Sequence, residues 1–383
     1  MKIAIVCYPT YGGSGIVATE LGMALANKGH EIHFVTYKQP VRLAYLSKNI
    51  HYHQVIIQEY PLFHYQPYEL ALSSKLVNTI KTYNIDLLHV HYAIPHAYAG
   101  LMAQQMLLEE NIRIPMVTTL HGTDITLVGS HPFYKPAVNF SINKSEIVTA
   151  VSKDLRKNTL DFFDIKKEIY HVPNFVNVKE KNNDYSDCDR ELMADKDEKI
   201  ITHVSNLRKV KRIDDVIKIF AKINSRQKAK LIIIGDGPER ESATQLAYDL
   251  DVRKQILFLG KSDEIDKILC FSDLFLLPSE KESFGLSALE AMVHGVPVIS
   301  SNTGGIPEVN QHGYSGYLSD VGDVDDMAEK ALSLLQNEEK LNLFKRQAKE
   351  VAERFDIDDV IDKYIMLYEK AINENVKMSS SNP

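Results

Sequence analysis

The sequence lacks long hydrophobic runs. None of its apolar stretches approaches the ~18–20 residues that a membrane-spanning helix requires. The N-terminal apolar run, Met1–Cys7, is too short for the apolar region of a signal peptide and leads directly into a turn, so it is typical of a buried first strand. We therefore expect a cytoplasmic protein that forms no stable association with membranes.

An excess of basic residues is also missing. The chain has 44 Lys and Arg residues against 51 Asp and Glu residues, which gives a formal net charge of −7. Non-specific binding to nucleic acid requires a basic surface, and this composition does not supply one overall. We expect no nucleic-acid partner.

Cysteine is scarce. Cys7, Cys188 and Cys270 are far apart in the sequence, odd in number, and share no metal-ligand spacing. This pattern predicts three free thiols in a reducing compartment.

What the sequence does contain is an alternation of strand-like and helical segments. With 383 residues, the chain exceeds the ~250–300 residues at which single cores stop growing, which favours two domains. A polar stretch between Pro173 and Asp197 is typical of a linker. Two doubly wound, Rossmann-like α/β halves would place a ligand cleft between the carboxyl ends of their sheets. We predict strands at Lys2–Cys7, Glu31–Thr36, Leu87–Val90, Met116–Leu120, Ile147–Val151, Ile200–Val204, Lys230–Ile234, Ile256–Leu259, Leu274–Leu277 and Val298–Ser300.

A glycine-rich loop, Gly12-Gly13-Ser14-Gly15, follows the first strand and opens the first helix. Glycines allow a ligand to approach the backbone, and the N–H groups of a helix start attract anions. The loop fits the dinucleotide pattern G-x-G-x-x-A, but strand two ends Val35-Thr36-Tyr37-Lys38 without the acid that holds a ribose. We therefore favour a loop that contacts a phosphate or an acceptor over a tight turn that binds no ligand.

Two glutamates flank a second helix start. Glu282 lies in the loop before the helix and Glu290 lies just over one turn into it, with the amides of Phe284, Gly285 and Leu286 between them. The backbone N–H groups and the positive end of the helix dipole can bind a diphosphate. The two carboxylates can accept hydrogen bonds from sugar and ribose hydroxyls. Two solvated glutamates beside an amphipathic helix are the alternative.

A basic run, Arg208-Lys209-Val210-Lys211-Arg212, also follows a strand and opens a helix. A leaving diphosphate needs fixed positive charge if no metal is present. Cations at a helix N-terminus oppose its dipole, which favours a compensating anion over an exposed basic helix start.

The segment Thr118–Asp124 and the residues His89 and His91 offer further polar groups after strands. We expect His89 and His91 to point to opposite faces of their strand, and neither has a carboxylate at ligand spacing, so sugar and acceptor contacts are favoured over metal binding. The pairs Asp323-Val324-Asp325 and Asp356-Ile357-Asp358 are interpreted as helix-start charges.

With these four sites, the chain resembles the GT-B glycosyltransferases of family four. The resemblance covers almost the whole chain. It implies a retaining transfer from a UDP-sugar that requires neither cofactor nor metal, and a last helix that crosses back onto the first domain. The landmarks that match in order are Pro173-Asn174-Phe175, Gly235-Asp236-Gly237-Pro238, Glu282 to Glu290 and Gly304-Gly305-Ile306-Pro307-Glu308.

One departure concerns the family's Gly-Arg-Leu, which is Ser205-Asn206-Leu207 here. Lys211 matches the family lysine, so one diphosphate cation is missing at position 206, and whether Arg208 replaces it stays open.

This variant resembles the family members that transfer N-acetylglucosamine from UDP-N-acetylglucosamine to L-malate, the first step of bacillithiol biosynthesis. Cys7-Tyr8-Pro9, His91–His96 and Leu120–Thr126 carry the same resemblance. Together with the polar stretch that begins at Pro173, it implies an N-terminal acceptor domain (1–172) with a returning helix at about 356–375, and a nucleotide-sugar domain (173–355). We expect the last residues (376–383) to be disordered.

The site assignments follow from the motifs and the resemblance together. The catalytic set is Lys211, Glu282, His121 and Asn206. The donor set is Gly13, Arg208, Lys211, Lys261, Glu282, Phe284, Gly285, Leu286 and Glu290. The acceptor set is Ser14, Tyr92, Thr119, Asn206 and Arg42.

Three other activities stay open at this point. They are a family-four transfer to another small or lipid-linked acceptor, a GT-B UDP-N-acetylglucosamine 2-epimerase, and an NAD-dependent dehydrogenase, which the missing ribose acid disfavours. The sequence also leaves open whether the protein forms homo-oligomers.

Overall fold

The structure is a computed structural model that describes residues 1–43, 47–57, 67–181, 190–262 and 264–380. The chain divides into two compact units. Unit 1 comprises Met1–Asn174 and Ile357–Pro383, and unit 2 comprises Phe175–Asp356.

The described residues of unit 1 form a seven-stranded sheet in which every pairing is parallel. Its order is β3-β2-β1-β4-β5-β6-β7. The residues of β1 from Ile3 to Val6 are fully buried, as expected for an apolar run covered by helices on both faces. The strands are β1 Lys2–Val6, β2 Glu31–Thr36, β3 Ile50–Gln54, β4 Leu87–His91, β5 Met116–Leu120, β6 Ile147–Ala150 and β7 Ile169–His171.

Helices connect these strands, and two short helical turns, Ala93–Ala97 and Thr123–Leu127, follow β4 and β5. The apolar sides of α2 and α3 pack against the sheet in one core cluster that includes Leu76 and Leu101. The helices are α1 Gly13–Asn27, α2 Tyr68–Tyr83, α3 Tyr98–Leu108, α4 Lys135–Lys144 and α5 Lys153–Phe162.

In unit 2 the described residues form a six-stranded parallel sheet with the order β10-β9-β8-β11-β12-β13. Its helix-forming segments show the apolar spacing of amphipathic helices; for example, Ile213, Val216, Ile217, Phe220 and Ile223 are all buried. The elements are α6 Val178–Lys181, β8 Lys199–Val204, α7 Ile213–Asn224, β9 Ala229–Ile234, α8 Arg240–Asp249, β10 Ile256–Gly260, α9 Ile265–Leu269, β11 Leu274–Leu277, α10 Leu286–Val293, β12 Val298–Ser301, α11 Ile306–Val309, β13 Gly316–Ser319, α12 Val324–Leu335 and α13 Glu338–Glu353.

The last helix, α14 (Ile357–Ser380), belongs to unit 1. Its residues Tyr364 and Tyr368 are buried, and the Tyr368 hydroxyl lies 2.8 Å from Nδ1 of His89 in β4. The helix is longer than the predicted range of about 356–375. The expectation of a disordered tail is therefore wrong for residues 376–380, and residues 381–383 lie outside the described residues.

Three short strands were not predicted: β3, β7 and β13. The Asp323-Val324-Asp325 pair does mark a helix start, because the Asp323 carboxylate accepts a hydrogen bond from the Asp326 backbone N–H at 3.0 Å and caps α12.

Of the cysteines, Cys7 is a buried free thiol. Cys270 is disulfide-bonded, so the expectation of three free thiols is wrong, because separation along the chain does not report distance in the fold. Cys188 lies outside the described residues. No helix among the described segments combines the length and apolar character needed to cross a membrane.

Candidate functional site

Each sheet has one point where the direction of strand addition reverses. In unit 1 this point lies between β1 and β4, and in unit 2 it lies between β8 and β11. Loops that leave the carboxyl ends of such strand pairs form the usual ligand-binding position of doubly wound sheets. The motifs around Ser14 and Tyr92 follow β1 and β4, and those around Lys211 and Glu282 follow β8 and β11.

Lys211 and Glu282 form an ion pair in unit 2. The Lys211 Nζ lies 2.5 Å from the Glu282 Oε2, with 19% and 16% of the two side chains exposed. A backbone hydrogen bond of 2.8 Å from Glu280 N–H to the Val210 carbonyl joins the same two loops. The structure thus brings together two residues that the sequence placed in one catalytic set.

Glycines hold these loops by close backbone approach. A Cβ on Gly304, whose φ is +57°, would lie 2.0 Å from the Glu282 carbonyl oxygen, and the Gly305 N–H donates to that oxygen at 2.9 Å. Likewise, a Cβ on Gly235 would lie 1.8 Å from the Ser205 carbonyl oxygen. Only glycine fits such positions, so these two family landmarks support the loops that carry Glu282 and Asn206.

The helix α10 begins directly after the predicted amides. Gly285 precedes it with a φ of +99°, and Leu286 is its first residue. The Phe284 side chain is buried and packs edge-on against Phe355 with ring centroids 5.6 Å apart, so only its backbone is available to a ligand. Glu290 is buried on this helix. The first N–H groups of a helix have no partner within it, which makes this start suitable for an anion.

The other predicted site residues of unit 2, and the last cation of the basic run, differ in position. Asn206 and Arg208 are exposed in the loop after β8. Arg212 forms an ion pair with Asp215, with its Nε 2.6 Å from the Asp215 Oδ2. Lys261 is exposed and follows β10, which lies two strands away from β8 in the sheet.

In unit 1, the Tyr92 hydroxyl donates to the Ser14 Oγ at 2.6 Å. The structure therefore joins two of the predicted acceptor residues. Gly15 makes this loop possible, because a Cβ there would lie 2.4 Å from the Tyr8 carbonyl oxygen. Gly13 is exposed and is the first residue of α1, where helix N–H groups lack partners within the helix.

Thr119 does not fit its predicted acceptor role. It is completely buried, and its Oγ1 lies 2.8 Å from the His89 Nε2 and 2.8 Å from the Thr149 Oγ1. Side chains alternate between the faces of a strand, and Thr119 points into the core of unit 1 rather than to its edge. Only its backbone lies near the edge, where its carbonyl accepts from the Tyr92 N–H at 2.8 Å.

His121 is buried next to His91, with 2.8 Å between the His121 Nε2 and the His91 Nδ1. Burial lowers the pKa of His121 to about 3, so its ring is neutral near pH 7. It is therefore suited to hydrogen bonding rather than to neutralising a phosphate.

Asp124 ends the segment for which the sequence favoured sugar and acceptor contacts, and its side chain is instead used within unit 1. Its carboxylate accepts from the backbone N–H groups of Ala93 at 2.8 Å, Gly122 at 3.0 Å and His121 at 3.3 Å. Burial nevertheless raises the pKa of Asp124 to about 6. This side chain holds the turns after β4 and β5 together, and an acid in the first turn that follows a buried strand was the signal that could have revealed it.

The expectation that His89 and His91 face opposite sides of β4 is wrong. Residues two apart share a face of a strand, and the two rings lie 4.5 Å apart. Both pKa values are lowered by burial. Arg42, the predicted acceptor cation, has its Nη1 2.8 Å from the Glu20 Oε1, so its charge is partly neutralised within unit 1.

Two parallel doubly wound sheets, one with a lysine–glutamate pair beside a glycine-preceded helix start, define a transferase of nucleotide-linked groups. Two family models match the chain: "Glycosyltransferase Family 4" at residues 11–180 and "Glycosyl transferases group 1" at residues 186–351. The chain belongs to these GT-B glycosyltransferases, and it is a hexosyltransferase enzyme.

Among curated relatives, the N-acetyl-alpha-D-glucosaminyl L-malate synthase of Bacillus anthracis is 46% identical over 377 residues, which is 98% of each chain. The 2-deoxystreptamine N-acetyl-D-glucosaminyltransferase of Niallia circulans is 28% identical and is matched over 77% of this chain and 79% of its own length.

Solved structures show the same fold. HepE of Anabaena in complex with UDP-glucose superposes with a TM-score of 0.80 at 20% identity, covering 97% of this chain and 100% of that one. The sucrose-phosphate synthase of Thermosynechococcus elongatus gives a TM-score of 0.80 at 19% identity, covering 97% and 99%.

Proposed function

We propose that this enzyme transfers N-acetylglucosamine from UDP-N-acetylglucosamine to the hydroxyl of L-malate, releasing UDP and retaining the α anomer. The observation that carries this proposal is the 46% identity to the malate synthase over 98% of both chains. A match of that extent includes unit 1, which supplies the predicted acceptor residues, as well as unit 2.

In this proposal the donor binds to unit 2. Lys211 exchanges its partner Glu282 for the diphosphate, and Glu282 then accepts hydrogen bonds from the sugar hydroxyls. The amides of Phe284, Gly285 and Leu286 hold phosphate oxygens at the start of α10. Glu290 accepts from the ribose hydroxyls. The ion pair of 2.5 Å supports this exchange, because it holds both side chains at one place before either meets a ligand.

The acceptor binds to unit 1 through Ser14 and Tyr92. Their mutual hydrogen bond leaves the Ser14 hydroxyl free to donate to a carboxylate while the Tyr92 hydroxyl holds its orientation. Arg42 supplies positive charge in part, since Glu20 shares its guanidinium. His121 contributes a neutral ring that hydrogen-bonds to sugar or acceptor.

The transfer itself needs no covalent enzyme intermediate. The bond between the sugar C1 and the β-phosphate oxygen breaks, and its electron pair stays on the phosphate. The malate hydroxyl oxygen forms the new bond to C1 on the same face, and its proton passes to the departing phosphate oxygen. Lys211 stabilises the charge on that oxygen. The proposal includes a cytoplasmic location and requires neither cofactor nor metal.

UDP release tests this function. The purified chain, incubated with UDP-N-acetylglucosamine and EDTA, is assayed against L-malate, D-malate, other hydroxy acids and inositol phosphates. We expect UDP release to depend on L-malate and to persist in EDTA. Release with an inositol phosphate but not with L-malate would indicate another acceptor, and release without any acceptor would indicate the epimerase. Activity lost in EDTA and restored by magnesium would contradict the metal-independent mechanism.

A further inference from the structure

A cluster of histidines and one glutamate lies on β2 and β3 of unit 1, away from the candidate transferase site. Parallel pairing places His33 opposite His51 and Val35 opposite His53. Since every second residue of a strand shares a face, Glu31 and His33 of β2 lie on the same face as His51 and His53 of β3. Glu31 begins β2, so the cluster lies toward the amino end of the strands, whereas Tyr92 follows the carboxyl end of β4.

Three atoms of this cluster converge. The Glu31 Oε1 lies 3.0 Å from the His33 Nε2 and 3.4 Å from the His51 Nε2, and all three atoms lie within 4.8 Å of one another. Zinc binds imidazole nitrogen and carboxylate oxygen at about 2.0–2.2 Å in tetrahedral geometry, which sets its ligand atoms about 3.3 Å apart. Two of the three separations already match that value.

We propose that Glu31, His33 and His51 bind one divalent transition-metal ion, with Zn²⁺ as the best match and water as the fourth ligand. Two imidazoles and one carboxylate suit zinc better than magnesium or calcium, which prefer oxygen ligands. The ring of His51, whose side chain is 39% exposed, is open to solvent for metal entry, while His33 is completely buried.

The surrounding residues supply the support that metal-binding histidines usually have. A ligating histidine donates its second ring N–H to a neighbour, and the His33 Nδ1 lies 2.9 Å from the His53 Nε2. The Tyr83 ring packs 4.8 Å from each of these two rings.

Two features of the cluster oppose metal binding. The Lys2 Nζ lies 3.5 Å from the Glu31 Oε2, and its charge disfavours a nearby cation. Lys2 contacts the Glu31 Oε2, whereas both imidazoles contact Oε1, so Oε1 stays directed at the histidines. In addition, the His33 and His51 rings stack 4.6 Å apart with an interplanar angle of 22°, so the exposed His51 ring must turn to direct its lone pair at the ion.

The experiment titrates Zn²⁺ into the EDTA-treated, dialysed full chain by calorimetry, with Co²⁺ absorption as a second readout of tetrahedral coordination. We expect one saturable zinc site and an increase in the melting temperature with zinc. His51→Ala and Glu31→Gln should each weaken zinc binding at least tenfold. His53→Ala, which removes the hydrogen bond to the His33 Nδ1, should weaken it about 10- to 100-fold. His131→Ala, at an exposed histidine elsewhere in unit 1, is the matched control and should bind zinc as the wild type does.

His33 is not substituted, because its burial makes misfolding the expected result. Circular dichroism of each variant confirms that the chain is folded before titration. The proposal is overturned if the wild type shows no saturable zinc site, or if His51→Ala and Glu31→Gln bind zinc with wild-type affinity. UDP release with L-malate is measured in parallel and is expected to be equal in wild type and His51→Ala, so this test is separate from that of the transferase activity.

Discussion

The sheets of the two units share one strand order around their switch points, yet the residues at their carboxyl edges differ in kind. Unit 2 presents a partly exposed ion pair between Lys211 and Glu282. Unit 1 presents hydroxyls and buried neutral rings, such as those of Tyr92 and His121, and the Asp124 carboxylate accepts from the backbone N–H groups of Ala93 and His121 beside them. Charge in unit 2 suits a diphosphate, and hydrogen-bonding groups in unit 1 suit a polar acceptor. One architecture thus supports two binding chemistries.

The largest expected effect is acid instability of unit 1. Burial lowers the pKa of His89 and His121 to about 3 and that of His96 to about 4. A folded-state pKa below the unfolded value of about 6.5 gives stability that is present above pH 6.5 and is lost as pH falls toward the folded pKa. Each of these three histidines therefore lowers the free energy of unfolding by about 2 kcal/mol at pH 5.

Asp124 acts in the opposite direction. Its raised pKa of about 6 means that protonation near pH 5 relieves about 1 kcal/mol of its burial cost. We expect these four groups together to lower the free energy of unfolding by about 5 kcal/mol between pH 7 and pH 5 in urea unfolding, with hydrogen exchange locating this loss in unit 1. The control His131→Gln should follow the wild type. Stability that is unchanged between the two pH values would show that these rings are not held neutral.

The second effect concerns the glycine that supports the Glu282 loop. Gly304→Ala places a Cβ 2.0 Å from the Glu282 carbonyl oxygen at a φ of +57°, and we expect a loss of about 3 kcal/mol in unfolding free energy together with reduced turnover. Gly313→Ala is a matched control, since Gly313 has a φ of +75° with nothing within 4 Å of the added Cβ. Its cost should be about 1 kcal/mol and its turnover normal. Equal losses in the two variants would show that backbone conformation, not the close approach, is responsible.

The third effect is on the leaving group. Lys211→Ala removes a charge-assisted hydrogen bond of about 1.5–3 kcal/mol, so we expect turnover to fall about 10- to 100-fold. Lys209→Ala removes an exposed cation from the same turn and should change turnover by less than about twofold, because exposed charges contribute little. Stopped-assay UDP release measures both. A wild-type turnover for Lys211→Ala would remove the lysine from the mechanism.

The smallest effect is on the acceptor. Tyr92→Phe removes the hydrogen bond to Ser14, so we expect the malate KM to rise about three- to tenfold, equivalent to about 1 kcal/mol, with the donor KM unchanged. Thr119→Ala should instead lower stability and leave the malate KM unchanged, because its hydroxyl is buried among His89 and Thr149. A higher malate KM for Thr119→Ala alone would restore that residue to the acceptor set.

Sequence predicted that the loops carrying Lys211 and Glu282 meet, because their motifs follow buried strands directly and parallel strands bring such loops to one edge. It failed for Thr119 because the direction of a side chain at the end of a strand depends on register and pleat. It missed β3 because Ile50-His51-Tyr52-His53-Gln54 has little apolar alternation. The Glu31, His33 and His51 cluster was invisible for the same reason, since it exists only once β3 is paired with β2.

The most direct test of the division between the two units is a UDP titration of four variants by calorimetry. We expect Glu290→Ala and Lys211→Ala, both in unit 2, to weaken UDP binding at least tenfold, in keeping with the loss of a hydrogen bond to a charged partner. Ser14→Ala and Tyr92→Phe, both in unit 1, should bind UDP within about twofold of the wild type, because the proposed function assigns these neutral hydroxyls to the acceptor. Wild-type UDP affinity in both unit 2 variants, or a tenfold loss in the unit 1 variants, would contradict the account.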